Sequence, residues 1–449
     1  MPSNQNELAP NVWPQTAARN SDGAIEVGGV SVIDLARQYQ TPLYVLDEAD
    51  IRSRAKAYQT AFNSGEVETE VFYAGKAFLA TKVISWIASE GLSIDVCTAG
   101  ELAVALKAGV SPERILFHGN NKSIDELTQA IQLGIGRIVV DSFQEILRLA
   151  AIASEHGVTA QVLIRLTVGV EAHTHEYIAT AHEDQKFGIS IATGAALEAA
   201  KLVIESDSLS LLGLHSHIGS QIFDADGFEI AAHRVIETAA KIRDEFDFTI
   251  SELNLGGGMG IAYLAEDDPL QVAQMAHALH EIVISQCQQL NFPVPRLLIE
   301  PGRAIIGPAG ITVYEVGTIK QVDVSDTQTR RYISVDGGMS DNIRTALYEA
   351  QYTAALASRT TNSMAVASRV VGKHCESGDI VIQDAQLPAD IEAGDLLAVA
   401  ATGAYCRAMA SNYNYIVRPA VVSVCNGISE IVLRRETLAD LLSLDPGAE

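Results

Sequence analysis

Short apolar runs alternate with amphipathic stretches through the first two thirds of the chain. The runs are rich in β-branched residues, and most are followed by a segment of helical periodicity, which is typical of parallel strands joined by helices. About eight such strands, spread over about 260 residues, predict a (β/α)8 barrel rather than an open doubly wound sheet. The predicted strands are residues 43–46, 71–73, 93–96, 115–118, 137–140, 161–166, 211–216, 252–255 and 296–300.

The rhythm changes after Gly307, where the runs alternate like antiparallel strands and Gly, Asp and Pro stand between them. Strands are predicted at 311–320, 331–335, 368–372, 396–400 and 420–424. The predicted fold class is α/β, a (β/α)8 TIM-like barrel plus a mostly β C-terminal domain. The predicted organisation is a disordered leader at 1–24, N-terminal strands joining the β domain at 25–44, the barrel at 45–306 and the β-rich domain at 307–449.

Net charge and composition indicate which kinds of ligand or partner the protein can bind. The chain has 449 residues and a formal net charge of -25, which argues against nucleic acid and against an anionic membrane, because both bind basic patches. A small charged metabolite fits better. No stretch of the sequence is long and apolar enough to span a bilayer. Five cysteines without metal-ligand spacing indicate free thiols in a reducing compartment, the cytoplasm.

The run Val71-Phe-Tyr-Ala-Gly-Lys76 is an apolar strand that ends in one cation. A strongly hydrated ammonium in this place is expected at the mouth of the strand, facing a site rather than a core. An amine that condenses with a carbonyl must lose its proton, which burial among apolar neighbours favours. Pyridoxal phosphate (PLP) carries a suitable aldehyde, so Lys76 is a candidate for this role. An ordinary strand-end lysine is the alternative.

The run His215-Ser-His217-Ile-Gly-Ser220 follows another apolar strand. Two histidines at i and i+2 suit a metal site, but no carboxylate or thiol lies close by in sequence to complete one. Alternatively, His217 lays its flat ring on an aromatic cofactor while Ser220 offers a hydroxyl to phosphate. Histidines that only fill a core are the third interpretation.

The run Asn254-Leu-Gly-Gly-Gly-Met-Gly260 follows the next strand. Consecutive glycines let backbone N–H groups gather around a phosphate, so Gly256, Gly257 and Gly258 are candidate contacts. The spacing is not the Rossmann fingerprint, and no strand with an acidic end follows at the usual distance. A tight turn without a ligand is the alternative.

The last predicted barrel strand ends in Glu300-Pro-Gly-Arg303. A glutamate at a strand mouth can pair with a pyridinium nitrogen and keep it protonated, which makes the ring a strong electron sink. A plain salt bridge between Glu300 and Arg303 is the alternative.

Three runs in the β domain carry further candidates. In His374-Cys375-Glu376-Ser-Gly-Asp379 a thiol is flanked by a histidine and a carboxylate, which suits an acid or a nucleophile, although a buried structural thiol is commoner. Tyr405 stands at a predicted helix start, where a phenol and free N–H groups suit a phosphate, unless the helix only packs. Arg344 and Tyr348 lie four residues apart, a geometry that suits a carboxylate if the segment is helical, and are otherwise surface residues.

In this order the motifs resemble the fold-type III PLP decarboxylases, and among these the diaminopimelate decarboxylases. The resemblance covers about residues 42–424 and implies a fold like that of alanine racemase and ornithine decarboxylase. The runs His118-Gly-Asn-Asn-Lys122 and Glu171-Ala-His-Thr-His-Glu-Tyr177, with Gln185-Lys-Phe-Gly188, are similar to the actinobacterial branch. Glu349 departs from the family pattern, in which glycine is usual at this position.

The resemblance implies a role for each candidate. Lys76 resembles the catalytic Schiff-base lysine, and Cys375 resembles the catalytic cysteine of a loop that completes the neighbouring subunit's site in a homodimer. Residues similar to the cofactor-binding set are Lys76, His217, Ser220, Gly256, Gly257, Gly258, Glu300, Pro301, Gly302, Arg303 and Tyr405. Residues similar to the substrate-binding set are Arg303, Arg344, Tyr348, Glu376 and Tyr405, and no metal is implied.

The reaction that the resemblance implies is PLP-dependent decarboxylation of meso-2,6-diaminopimelate at its D-centre, which gives L-lysine and CO2 in the last step of lysine biosynthesis. A decarboxylase of ornithine, arginine or lysine is the first alternative, but it needs no clamp for a second carboxylate, so Arg344 with Tyr348 favours diaminopimelate. A racemase fits less well, because the Cys375 loop suits one-way protonation. A non-catalytic PLP-binding regulatory protein is the alternative from another class.

Overall fold

The barrel predicted from the alternating runs is present. The computed structural model describes residues 5–170, 186–325 and 328–448, so the predicted branch signature at 171–177, and Gln185, lie outside the described residues. The chain divides into two compact units. Met1–Ser53, Ile261–Asp268 and Arg303–Glu449 form a β-rich unit, and Arg54–Gly260 with Pro269–Gly302 form a barrel unit.

Eight parallel strands of the described chain close into the barrel. Strands that follow one another in sequence are neighbours in the sheet, and the ring is completed where Leu297 of the last strand lies opposite Thr69 of the first. Parallel neighbours need a crossover connection, which helices supply in a (β/α)8 barrel. The strands are Thr69–Ala74, Ser93–Val96, Ile115–Phe117, Arg137–Val140, Ala160–Thr167, Leu209–His215, Glu252–Asn254 and Arg296–Ile299, with the short Ile189–Ser190 beside the fifth.

Apolar side chains from the strands fill the interior of the barrel. Phe72, Leu116, Val139, Leu163 and Leu298, each from a different strand, form one cluster in which no member is more than 1% exposed. Burial of a side chain of this size contributes about 1.5–3 kcal/mol. The interior is therefore a packed core, and chemistry is confined to the ends of the strands.

Helices connect the strands and begin at clear caps. The side chains of Thr98, Ser123 and Ser142 each accept a hydrogen bond from the backbone N–H three residues later, which satisfies one free donor of the first helical turn. Among the described helices, none has the length and apolar character that a bilayer crossing needs. The helices from the unit boundary onward are Glu48–Asn63, Thr81–Ser89, Ala99–Lys107, Ile124–Leu133, Phe143–Glu155, Ala195–Ile204, Asp226–Phe246 and Val272–Gln289, with 3-10 turns at Gly75–Ala77 and Pro112–Arg114.

The β-rich unit is built around one mixed sheet. Its longest strand, Gly310–Ser325, runs antiparallel to Gln328–Val335, Leu396–Val399 and Leu43–Asp47. Most pairings are antiparallel, as predicted, but Gln328–Val335 runs parallel to its other neighbour. The remaining strands of this sheet are Ala354–Leu356, Ala365–Val371, Ile380–Pro388, Ala420–Cys425 and Ile428–Leu433.

Shorter elements complete the β-rich unit. A three-stranded antiparallel sheet precedes the first helix, whose N-terminal cap is Ser31. These strands are Ala18–Arg19, Ile25–Val27 and Val30–Ser31, the helices are Val32–Tyr39, Arg303–Ile306, Arg344–Tyr348 and Leu438–Leu442, and the 3-10 turns are Arg407–Met409, Tyr413–Tyr415 and Pro446–Ala448.

The strand predicted at 43–46 as the first of the barrel belongs instead to the β-rich unit. All five residues of Leu43–Asp47 are buried, and the strand pairs with Gly310–Ser325 on one side and Ala420–Cys425 on the other. A strand buried on both faces has a continuous apolar pattern in a barrel and in the middle of a mixed sheet alike, so periodicity did not separate the two. The predicted barrel boundaries at 45 and 306 accordingly move to Arg54 and Gly302.

The predicted disordered leader is folded where the structure describes it, from residue 5 onward. Val12 and Trp13 are 0% and 2% exposed in the apolar core of the β-rich unit. Asn11 Nδ2 donates a hydrogen bond to the Ala265 carbonyl (3.1 Å), and the Thr16 hydroxyl donates to Asp47 Oδ2 (2.6 Å). The expectation of disorder is wrong because two buried apolar side chains anchor a segment whose composition is otherwise polar.

We expect Trp13→Ala to lower the free energy of unfolding by about 3–5 kcal/mol, because truncation of a buried aromatic side chain leaves a cavity. Urea unfolding followed by circular dichroism measures the loss. Leu444, 90% exposed, offers the matched control, since Leu444→Ala should change this free energy by less than about 0.5 kcal/mol. Equal stability of the two variants would contradict the buried position of the N-terminal segment.

Candidate active site

A cavity of about 490 Å³ lies at the carboxyl ends of the barrel strands. His215 is the last residue of its strand, and His118 and Glu300 directly follow theirs. This end of the strands carries the active site in (β/α)8 enzymes. The residues that line the cavity are Lys76, Asp95, Cys97, Thr98, Glu101, His118, Gly119, Asn120, Asn121, Arg165, Lys186, Phe187, His215, His217 and Glu300.

Lys76 faces this cavity, as its position after a strand predicted. The strand Thr69–Ala74 passes into the 3-10 turn Gly75–Ala77, which carries the lysine to the mouth of the barrel. The apolar burial that would favour loss of the ammonium proton is not found around Lys76 among the described residues. The residue is exposed, and acidic and imidazole groups line the cavity with it. The turn ends the strand before the lysine, so the side chain leaves the apolar interior.

Glu300 is a buried carboxylate held by two hydrogen bonds. His118 Nε2 and Asn254 Nδ2 each donate to its Oε1 atom at 2.8 Å. Burial by itself raises the pKa of a carboxyl, but His118 and His215 outweigh it and hold the pKa of Glu300 well below its usual range. Glu300 is therefore an ionised group at the cavity wall, and residues of the barrel unit hold its side chain.

The two histidines after the strand Leu209–His215 differ in environment. His215 is buried, and burial lowers its pKa to about 4, so the ring is neutral at ordinary pH. His217 is half-buried at the cavity. Burial, together with the charges of Lys76 and Arg165, holds the pKa of His217 well below its usual range. A neutral, flat imidazole at the cavity suits stacking on an aromatic ring.

The carboxylate that the sequence lacked beside His215 comes from another strand. His118, His215 and Glu300 bring their ligand atoms within 4.8 Å of one another, a spacing that a metal ion could bridge. The hydrogen bond between His118 and Glu300, and the edge-to-face contact of the two rings at 4.8 Å, already account for this arrangement. The cluster therefore needs no ion to explain it.

The three consecutive glycines lie where strand ends converge. A Cβ atom on Gly257 would stand 2.1 Å from the Glu300 carbonyl oxygen, and one on Gly258 (φ 113°) would stand 2.5 Å from that of Gly219. Neither distance leaves room for a side chain. Gly256 has the same constraint, because its Cβ would stand 2.6 Å from the Ser216 carbonyl oxygen. Backbone packing thus requires these glycines, and their contact with phosphate, like that of the half-buried Ser220, stays a prediction.

Pro301 and Gly302 join the end of the last barrel strand to the first. The Ala74 N–H donates to the Pro301 carbonyl at 3.1 Å, and a Cβ on Gly302 would stand 2.9 Å from the Ala74 Cβ. Ala74 lies two residues before Lys76. These two predicted cofactor residues therefore position the backbone that leads to the lysine.

In the β-rich unit, Arg303 and Arg344 converge on one phenol. Arg303 Nη1 donates to Tyr263 Oη at 2.5 Å, and Arg344 Nη1 donates to the same oxygen at 2.7 Å. Arg344 Nη1 also donates to Tyr352 Oη at 2.6 Å. Both arginines are buried. Two buried guanidinium groups this close repel each other, and a carboxylate beside them would stabilise both.

The segment from Arg344 to Tyr348 is helical, which is the condition that the carboxylate interpretation required. It forms a single helical turn in which Arg344 is buried and Tyr348 is half-buried. Glu349, at the position where the resemblance predicts glycine, caps this turn with φ 52°, in the left-handed region that favours glycine. The backbone conformation that suits glycine is therefore retained although the residue is glutamate.

Tyr405 does not begin a helix, so its prediction as part of a helical phosphate site is wrong. It lies in a turn with φ 60°, and only the 3-10 turn Arg407–Met409 follows. A Cβ atom on Gly403 would stand only 1.9 Å from the Ile306 carbonyl oxygen. The small residues before Tyr405 are therefore required by a tight turn. The Tyr405 ring instead packs against Arg303, with 4.6 Å between the guanidinium carbon and the ring centroid.

The loop that carries Cys375 and Glu376 is exposed but anchored. His374 Nε2 and Ser340 Oγ form a hydrogen bond at 2.8 Å, and the backbone N–H of His374 donates to Asp379 Oδ2 at 2.7 Å. Cys375 is a free, exposed thiol, which contradicts the interpretation as a buried structural cysteine.

Several residues that line the barrel cavity or contact Arg303 and Arg344 were not predicted from the sequence. Asp95, whose pKa burial raises to about 7, and His118 stand in or directly after apolar strands, and that position was the available signal. Arg165 also stands in an apolar strand. The sequence around Tyr263 and Tyr352 gave no such indication, because only the fold brings these residues to the arginines.

Residues 48–307 match the pyridoxal binding domain of the pyridoxal-dependent decarboxylases. Diaminopimelate decarboxylase of Mycobacterium tuberculosis is 58% identical over 442 residues, which cover 98% of each chain. The chain therefore belongs to the fold-type III pyridoxal-dependent decarboxylases.

Solved structures support a finer assignment. Diaminopimelate decarboxylase from M. jannaschii, in complex with L-lysine, has a TM-score of 0.89 and 31% identity, with 96% of this chain and 98% of that chain covered. Lysine/ornithine decarboxylase from Vibrio vulnificus, in complex with putrescine, has a TM-score of 0.72 and 23% identity over 88% and 97% of the two chains, which shows a shared fold. Within the class, this chain groups with the diaminopimelate decarboxylases, as its motifs indicated.

The cofactor of this family is PLP, and the barrel cavity fits it. The cavity offers an amine for the aldehyde in Lys76, a neutral imidazole for the ring face in His217 and an ionised carboxylate for the ring nitrogen in Glu300. Among the described residues, both donors to the Glu300 side chain bind Oε1, which leaves Oε2 for a protonated nitrogen.

We expect Gly257→Ala to weaken PLP binding by about tenfold or more, because its Cβ would collide with the Glu300 carbonyl and displace the carboxylate. Fluorescence titration of the coenzyme-free protein measures this affinity. In helix Ala99–Lys107, a Cβ on Gly100 meets no atom nearer than 3.8 Å. Gly100→Ala is therefore the matched control and should bind PLP normally, with a gain of about 0.5–1 kcal/mol in stability. Normal PLP affinity in Gly257→Ala would show that this packing does not maintain the site.

Proposed function

We propose that the protein decarboxylates meso-2,6-diaminopimelate to L-lysine and CO2, the last step of lysine biosynthesis. The sequence identity between this chain and curated diaminopimelate decarboxylases, which extends over nearly the whole chain, supports this proposal. The structural observation that carries it is the ionised, buried Glu300 in the same cavity as Lys76.

Bound PLP supplies an electron sink, because its protonated ring accepts the electron pair that remains when CO2 leaves. Glu300 holds that proton on the ring nitrogen. An ionised carboxylate does this far better than a neutral group, since the hydrogen bond is then assisted by charge on both sides. The groups that keep Glu300 ionised in a buried place therefore serve the reaction.

The other barrel residues hold and orient the coenzyme. Lys76 would hold the coenzyme at its aldehyde through its amine, the group that the amine of the substrate must replace. His217 would support the face of the coenzyme ring with its neutral imidazole. We assign the phosphate to Ser220 and the turn Gly256–Gly258, where the N–H groups of Gly257 and Gly258 would donate, because that of Gly256 donates to Asn254 Oδ1. Pro301 and Gly302 help to position this turn through the end of the last strand.

Diaminopimelate has two amino-acid ends, so the enzyme must recognise the end that does not react. We assign the distal carboxylate to Arg303, Arg344 and Tyr348 and the distal ammonium to Glu376. The convergence of two buried guanidinium groups on Tyr263 supports an anion at this place. Tyr405, which packs on Arg303, is proposed to contact both cofactor and substrate.

Cys375 is the proposed acid that delivers a proton to Cα after CO2 has left. Its thiol is exposed on its own unit, so we propose that the loop serves the site of a second subunit in a homodimer. All five cysteines are free, which fits the reducing conditions of the cytoplasm as the proposed location.

Release of CO2 from meso-diaminopimelate, compared with L-lysine, L-ornithine and L-arginine, tests the proposal. We expect turnover of diaminopimelate to exceed that of the other three by about 100-fold or more, because a site built for a carboxylate rejects substrates that lack it. Lys76→Ala should lose both CO2 release and the visible absorbance of bound coenzyme. Lys201, an exposed lysine paired with Glu205, offers the control substitution Lys201→Ala, which should change neither.

Three results would contradict the proposal or the role of Lys76 in it. Comparable release from ornithine, arginine or lysine would favour another basic-amino-acid decarboxylase. Bound coenzyme without release from any of the four would favour a non-catalytic PLP-binding protein. If Lys76→Ala retained both CO2 release and the visible absorbance of bound coenzyme, the proposed role of Lys76 would be wrong.

Mixing two inactive variants tests the shared site. Refolded mixtures of Lys76→Ala and Cys375→Ala should recover about one quarter of the wild-type activity, because half of the dimers are mixed and each mixed dimer has one intact site. The control mixture is Lys76→Ala with Glu300→Gln. Both defects then lie in the barrel unit, so no site is intact and no recovery is expected. Equal inactivity of both mixtures would indicate that each site is built within one chain.

A further inference from the structure

Two residues without an assigned role hold the Glu300 side chain. His118 directly follows the strand Ile115–Phe117, and Asn254 ends the strand Glu252–Asn254. We propose that His118 and Asn254 are positioning residues that bind one oxygen of Glu300 and so present the other to the ring nitrogen of PLP. This inference rests on the proposed function, because it requires the coenzyme in the barrel cavity.

The partners of Asn254 fix the orientation of its amide. The Gly256 N–H can only donate, and it points at Asn254 Oδ1 at 2.8 Å. The NH2 end of the amide must therefore face Glu300, where it donates to Oε1 at 2.8 Å. Asn254 thus couples the position of the glycine turn to the rotamer of the carboxylate.

The partner of His118 fixes the tautomer of its ring. An ionised carboxylate has no proton to give, so the contact of 2.8 Å between His118 Nε2 and Glu300 Oε1 requires the proton on Nε2. The backbone N–H of His118 donates to the Val96 carbonyl at 2.7 Å, and its ring packs edge to face with His215. The imidazole is therefore held in place from three sides.

Removal of either donor should change the charge of Glu300 as well as its rotamer. Burial raises the pKa of this carboxyl, and the attraction of His118 is the largest effect that opposes it. Without that donor the carboxyl gains a proton more readily and stops attracting the proton of the ring nitrogen. The loss of PLP affinity should therefore depend on pH and on the presence of the ring nitrogen in the coenzyme.

The backbone at Glu300 has supports of its own. Its N–H donates to the Gly256 carbonyl at 2.9 Å, and its carbonyl packs against Gly257. Loss of a side-chain donor should consequently leave the strand end in place. A role in positioning the carboxylate can therefore be separated from a general role in folding.

The test compares PLP with its 1-deaza analogue, in which C–H replaces the ring nitrogen, on full-length protein freed of coenzyme. We expect His118→Leu to weaken PLP binding by about 10- to 100-fold, the value of a charged hydrogen bond, and Glu300→Gln to do the same. The double variant should bind PLP no more weakly than Glu300→Gln alone, because both changes remove one interaction. The affinity of the deaza analogue should be as high for each of these variants as for the wild-type protein. The absorbance of bound PLP should gain a pH-dependent transition in His118→Leu.

Three variants control this experiment. His118→Gln keeps an N–H donor at a similar reach and should restore PLP affinity. Asn254→Asp keeps the acceptor for Gly256 but loses the donor to Glu300, so it carries the same test if His118→Leu does not fold. His277 is exposed on helix Val272–Gln289, and His277→Leu should behave as wild type.

Wild-type PLP affinity in both His118→Leu and Asn254→Asp would overturn the inference. Equal losses for PLP and the deaza analogue would also overturn it, because the residues would then only support the fold. Failure of the proposed function has a different signature, since wild-type protein would then bind no PLP or release no CO2 from diaminopimelate.

Discussion

A negative charge buried at the end of the last barrel strand is the constraint on which the site depends. A carboxylate loses most of its hydration on burial and remains ionised only where hydrogen bonds and neighbouring charges compensate. In this chain the compensation comes from His118, Asn254 and His215, which belong to three other strand ends. The glycine turn is the geometric condition for this, because a side chain on Gly257 would keep the strand ends apart.

The β-rich unit poses the opposite electrostatic problem. Arg303 and Arg344 are buried cations that share the phenol oxygen of Tyr263. The shared phenol oxygen orients both guanidinium groups, and two cations held this close together suit an anion. Glu300 and the pair Arg303 and Arg344 are thus buried charges of opposite sign, and each suits a ligand group of the complementary charge.

The sequence predicted the barrel well because strand ends and helix starts carry local signals. Residues 93–96 and 137–140 coincide with observed strands. Lys76, His217 and Glu300 follow strand ends, and the fold brings them to one cavity. The predictions failed where identical local patterns have different tertiary partners. The strand Leu43–Asp47 is as apolar as a barrel strand, and Trp13 stands in a polar segment.

Side-chain partners were harder to predict than positions. Glu300 was identified at its strand end, but nothing local indicated that His118 and Asn254 would meet its Oε1 atom. Tyr263 lies in a short excursion between barrel segments, and only the three-dimensional arrangement of its own unit joins it to Arg344. Such contacts depend on loop closure over long distances in sequence, which periodicity and motif spacing do not encode.

The pairing of Leu43–Asp47 bears on how the chain matures during synthesis. Its partner Gly310 lies opposite Leu46, about 260 residues later, so this early strand leaves the ribosome long before its neighbour exists. Until then its five buried residues have no sheet to join, whereas every strand of the barrel unit emerges before the β-rich unit can close. The nascent N-terminal segment therefore has apolar side chains and backbone groups without their native partners for most of translation.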